Sequence, residues 1–156
     1  AAWKAVPKKM KQEIVLQVAY YDGLMRTDQH ARAEKELASA LKSNWRGPLV
    51  RLFGLVQGED SSKQLKKAEG WLSNHSEDPD LLLTAARLCL RNELWGKARS
   101  YLETVISLRP SPEAYREYGA LLDQLGETHA AAEAFKDGLG MVAGNKLPAI
   151  THSSQD

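Results

Sequence analysis

The chain repeats itself at a fixed distance. Leu82 and Tyr115, Ala86 and Gly119, Cys89 and Leu122, Ala98 and Ala131, and Leu102 and Phe135 all stand at one constant offset of about 33 residues, a period typical of helical repeats. Small and apolar residues recurring at one offset of this size are the signature of stacked repeats, in which no unit can bury its apolar face alone. Five matches in a single register constrain the architecture before any local assignment is made.

Each unit has the pattern of two helices. Asp78-Pro79 combines an N-cap type of residue with a proline suited to the first helical turn, and Leu82, Ala86 and Cys89 follow at helical spacing. After a break at Asn92-Glu93, a second helix carries Ala98, Leu102, Val105 and Ile106 on one face and stops before Pro110. The next unit repeats the plan. Ser111-Pro112 opens it, Tyr115, Tyr118, Gly119 and Leu122 form its stripe, Leu125-Gly126 turns it, and Ala131 and Phe135 line the return helix. Gly138 and Gly140 mark the end of that helix.

Earlier in the chain the plan is weaker. Val18, Tyr21, Leu24 and Met25 precede a turn at Thr27-Asp28, and Ala33, Leu37, Ala40 and Leu41 follow it. The step from Ala33 to Ala68 is longer than the later offset and the step from Ala68 to Ala98 is shorter, so the register drifts through a degenerate second unit. Its first helix is expected over Pro48 to Gln57, its polar loop at GEDSS, and its return helix over Gln64 to Asn74. The expected fold is all-α: an α-solenoid of about four helix-turn-helix repeats within residues 1–143, at roughly 13–43, 48–75, 79–109 and 112–142. Residues 144–156 lack periodicity and are expected to fray.

Helices approach closely only where crossing residues are small, which assigns the contact points to Ala33, Ala68, Ala86, Ala98, Gly119 and Ala131. Trp95 falls at a turn, beside a Gly96 expected to allow close approach, and is expected to wedge the joint between pairs. Trp71 is expected in the core, and Trp3 and Trp45 over exposed edges. This combination resembles the tetratricopeptide repeat, with the best match over residues 79–142 and a departure at GEDSS and His75. The segments AEGWL, DPDLLLTAARLCLRNELWGKARSYLE and RPSPEAYREYGALLDQLGE are also similar to the carboxy-terminal tetratricopeptide domain of the proteobacterial HemY family. That resemblance implies a bacterial inner-membrane protein associated with a late step of haem biosynthesis. It also implies amino-terminal membrane helices outside this chain, and a scaffold without a catalytic motif. The side of the membrane stays open, with the cytoplasmic face favoured.

In such an array the first helix of each pair lines the concave surface. The outward positions are Asp22, Met25 and Arg26, then Arg51 and Leu55, then Arg87, Leu90 and Arg91, then Arg116, Ala120, Asp123 and Gln124. Five arginines stand against two carboxylates there, although the whole chain, with 21 Lys+Arg and 20 Asp+Glu, carries a net charge of only +1. Guanidinium groups grip carboxylates in two-point fashion, so the expected partner is a protein or acidic peptide segment, haem-pathway enzymes among the candidates, or a porphyrin propionate. The alternative leaves these arginines solvated or paired with Asp22, Glu113 and Glu117.

Little in the sequence suggests an enzyme. His30, His75, His129 and His152 are isolated, with no CxxC, HExxH or phosphate-loop pattern, so no metal site is expected. Haem ligation by His75 or His129 is the alternative function. Cys89, the single cysteine, lies in an apolar run and reads as a small buried residue. Nucleic acid is not expected, given the near-zero net charge. No run of ~18 apolar residues spans a bilayer. The opening AAWKAVPKKM has no initiator methionine or signal pattern and reads as a processed product or excised fragment.

Overall fold

A computed structural model of the chain describes residues 7–143. Among them are eight helices and no strand: α1 Lys8–Arg26, α2 His30–Ser43, α3 Gly47–Phe53, α4 Ser61–Trp71, α5 Pro79–Arg91, α6 Trp95–Leu108, α7 Pro112–Gln124 and α8 Thr128–Ala143. The expectations for Trp3, His152 and the 144–156 tail lie outside the described residues.

Local chemistry sets the starts. The Asp78 carboxylate accepts from the backbone N–H groups of Asp80 and Leu81, and Ser111 Oγ accepts from Ala114 N–H. Each satisfies a donor that the first turn leaves without a helical partner. Asp60 does the same for Lys63 N–H, so the loop residue expected to be merely polar opens α4 ahead of Gln64.

One turn is built three times. Asp28, Glu93 and Gly126 all have left-handed backbone, with φ of 60°, 58° and 80°. The next N–H in each case returns to a carbonyl of the preceding helix: Gln29 to Leu24, Leu94 to Cys89, Glu127 to Leu122. This is the Schellman closure that caps a helix and reverses the chain. It joins α1 to α2, α5 to α6 and α7 to α8.

At the crossings Ala33, Ala68, Ala86 and Ala98 are fully buried, and Ala131 nearly so. At Gly119 the ring of Phe135 takes the space of a side chain: a Cβ there would lie 2.7 Å from it, and the ring would have to shift. Two glycine assignments are corrected. Gly138 does not stop a helix: α8 runs on to Ala143, and Gly138 is buried with the Tyr115 Cβ only 2.8 Å from where its own Cβ would stand. Gly96 has open space at that position, so it permits no close approach. Trp95 is half-buried against the main core, beside the turn.

The second unit departs most from expectation. α3 stops at Phe53 instead of Gln57, and no Cα of α3 comes within 8 Å of one in α4. Both helices pack on α5. Between them stand large side chains: the Phe53 and Trp71 rings meet edge to face at 4.8 Å, and Trp71 meets Trp45 at 5.5 Å. The carbonyls at the end of α3 are taken by other elements. Thr84 Oγ1 donates to Val50 O (2.8 Å), Gln64 Nε2 to Phe53 O (2.8 Å) and Val56 O (2.9 Å), and Arg91 to Gly54 O (2.8 Å) and Val56 O (2.7 Å). A short helix is thereby ended without leaving its last acceptors bare. α1 also begins earlier than expected, at Lys8.

Candidate functional site

The first helices of all four units meet at one end of the array. α3, α5 and α7 each start there with a proline in the first turn, beside the amino-terminal half of α1. They enclose a cleft of about 510 Å³, a size typical of ligand and peptide sites. Met10, Ile14, Pro48, Pro79, Leu83 and Val105 give it an apolar lining, while Arg46, Arg51, Arg109, Asp80 and Glu113 supply its charge.

These charges form a chain. Arg51 Nη2 donates to Glu113 at 3.0 Å and its Nε lies 3.8 Å from Asp80, whose Oδ1 accepts from Arg109 at 2.6 Å. Arg46 donates to Gln17 (2.8 Å) and pairs with Glu13 (3.4 Å). The backbone N–H at the start of α7 holds the Glu113 carboxyl below its ordinary range against the opposing effect of burial, and Arg51 adds to the lowering. Three guanidinium groups and two carboxylates line the cleft, and Glu13 beside it pairs with Arg46, so each cation has an acidic partner. Arg109, with 55% of its side chain exposed, is the accessible one.

Of the expected concave residues, only Arg51 lines this cleft. Leu55, Arg87, Leu90 and Arg91 surround a second, smaller hollow of about 200 Å³. Arg87, almost fully buried, donates to Glu117 at 2.6 Å, and Arg91 is committed to the Gly54 and Val56 carbonyls just after α3. Arg26 pairs with Asp22 at 2.7 Å, and Met25 packs against the core. Arg116 borders the α7–α8 groove, while Asp123 and Gln124 are exposed at the end of α7. Arg26, Arg51, Arg87 and Arg91 are thus partnered, and the last three each tie one helix to another. Sequence reasoning missed Arg46, Asp80 and Arg109, which lie at helix starts and ends. The prolines that open α3, α5 and α7 were the available signal for a shared end.

The histidines and the cysteine have structural surroundings. His75 stacks face to face on Trp45 at 3.8 Å, and Trp45 Nε1 donates to Asp78 at 2.7 Å, which places Trp45 inside an aromatic cluster instead of over an edge. His30 Nδ1 accepts from Gln57 N–H at 3.0 Å, and His129 is exposed. Burial pushes the Cys89 thiol up to about 11. No group of three or more His, Cys, Asp or Glu is placed to hold a metal among the described residues. Nor is any described helix long and apolar enough to cross a membrane.

Paired helices sharing a repeated turn, with clefts where first helices converge, define an all-α stacked-pair protein. No family model matches the chain. Across 146 residues, 94% of its length, it is 23% identical to Protein HemY of Escherichia coli, and equally to Protein HemY of Shigella flexneri. It is a distant homologue of Protein HemY at the level of this domain, and spans 37% of the length of those relatives.

Proposed function

We propose that the chain is a non-catalytic protein-protein interaction scaffold, an α-solenoid of tetratricopeptide-like units that holds a partner segment in the cleft at the starts of α1, α3, α5 and α7. The observation carrying this is the cleft's construction: four first helices contribute, Met10, Ile14, Leu83 and Val105 give it apolar surface, and Arg51 and Arg109 stand in it with partly exposed guanidinium groups. Such a lining favours an extended segment with apolar side chains and a carboxylate. Kinship with Protein HemY supports, as part of the same proposal, a parent protein at the bacterial inner membrane serving a late step of haem biosynthesis, with its enzymes as partners. Haem ligation, the other candidate, gains nothing from the buried Cys89.

The test is fluorescence anisotropy with a labelled peptide rich in Glu and Leu. Arg51→Ala combined with Arg109→Ala is expected to weaken binding at least about tenfold, equivalent to ~1.4 kcal/mol. Equal affinity of the wild-type and doubly substituted chains would show that the cleft is not where the acidic segment sits.

A further inference from the structure

The return helices of adjacent units are tied together at two junctions and not at the third. Between α4 and α6, Glu69 pairs with Lys97 at 2.9 Å and accepts from the Tyr101 hydroxyl at 2.6 Å. Between α6 and the start of α8, Arg99 pairs with Glu127 at 2.7 Å. Aligned on Ala33, Ala68 and Ala98, the repeat puts Glu34 of α2 and Lys67 of α4 where Glu69 and Lys97 stand one unit later. They do not pair. The Glu34 carboxylate is turned against Gly58, in space that a Cβ there would need, and no cation lies within ion-pair distance of it among the described residues. Burial, with Asp60 and Glu59 nearby, pushes its carboxyl above the ordinary range. Trp71 holds the place of Tyr101 and turns into the aromatic cluster.

The α2–α4 junction has ammonium groups on both walls instead. Lys35 and Lys42 of α2 and Lys67 of α4 border a groove of about 440 Å³, with Ser39 between the first two on one face of α2. Among the described residues, no carboxylate pairs with any of these lysines, and the Ser39 hydroxyl has no hydrogen-bond partner. Ala31 and Ala38 keep the α2 wall low, so that another backbone can come close. Three cations and one carboxylate line the groove, and the positive charge that the other two junctions pair off is left over here.

We propose that the α2–α4 groove is a second binding site, which takes an extended acidic segment of a partner protein with its carboxylates on Lys35, Lys42 and Lys67. Lys35 and Lys42 are seven residues apart on one helix, roughly 10 Å along the axis, which about three residues of extended chain span. Ammonium groups on flexible stems act as point charges without the directional demand of a guanidinium fork, which suits carboxylates on side chains of their own freedom. A peptide also brings backbone N–H donors for Glu34, the acceptor left without a partner. A phosphate polymer or a layer of anionic lipid would bring that carboxylate only more negative charge, and no aromatic side chain lines the groove for a base to stack on. The groove lies between the first and second units and shares no lining residue with the cleft.

Fluorescence anisotropy with a labelled peptide of Glu, Gly and Ser, carrying Glu at every third position and no apolar residue, tests this. The chain is expected to bind it, and Lys35→Ala combined with Lys42→Ala to weaken binding at least about tenfold. Both lysines are exposed, so circular dichroism and melting of the double variant should match the parent chain. Arg51→Ala with Arg109→Ala is expected to leave this peptide's affinity unchanged, so the groove and the cleft succeed or fail separately. Absence of binding up to millimolar peptide, or full affinity in the Lys35→Ala, Lys42→Ala chain, overturns the proposal. So does tighter binding, through the same two lysines, of oligouridylate or of vesicles containing phosphatidylglycerol, since the groove would then serve nucleic acid or a lipid surface.

Discussion

The α3–α4 unit and the α5–α6 unit occupy neighbouring places in the array and are held by different physics. In the α5–α6 pair a Schellman turn brings the helices together, Ala86 and Ala98 let the backbones approach, and Leu102 fills the adjoining space. In the α3–α4 pair the backbones stay apart, the turn is replaced by a polar loop, and Gln64, Thr84 and Arg91 supply hydrogen bonds to carbonyls in and just after α3. Small residues at a crossing allow cohesion through dispersion and burial. Where they are missing, buried polar side chains must satisfy the backbone individually, which demands geometry but not close helix packing.

The sharpest way to strain this contrast is Leu102→Ala. A fully buried leucine lost from the regular pair is expected to cost about 2–5 kcal/mol in urea denaturation. Gln64→Leu should come next. It keeps volume but removes both donors, leaving Phe53 O bare while Arg91 still serves Val56 O, for a cost of about 1–3 kcal/mol. Amide exchange should speed up most in α3. If Gln64→Leu melts with the parent chain, the polar clamp is not what holds the short helix, and the contrast fails. The smallest effect runs the other way: Glu93→Gly relieves a left-handed residue that Gly126 already occupies without strain, and should raise stability by up to about 1 kcal/mol. No such gain is available in the second unit, whose loop lacks the turn.

Acid gives a check on the cleft. Because the folded Glu113 carboxyl sits below its unfolded value, its contribution to stability is complete above the ordinary carboxylate range and is lost as pH falls through the depressed value. Glu113→Gln should flatten the acid limb of the stability profile and remove the Arg51 pairing.

Legibility followed the length scale of the cause. Helix starts at Pro79 and Pro112, the turn at Glu93, and the alanines of the crossings were readable because caps, left-handed turns and apolar periodicity act within a few residues. Gly138 was misread for the same reason. Glycine weakens a helix locally, and only the Tyr115 side chain of another helix shows why it is needed there. The arginines were found as a set, but their partners were not: Arg51 meets Glu113 across 62 residues, and Arg91 reaches Gly54 O across 37.

The sequence by itself determined an all-helical chain with one constant repeat offset in its second half, because hydrophobic spacing and turn chemistry are local properties that recur visibly. Only the tertiary structure decided that α3 would be short, that the arginines would bridge helices, and that four helix starts would enclose one cleft. Hydrogen bonds and ion pairs are selected by distance in space, and at ~3 Å the choice of partner depends on where separate elements finally rest.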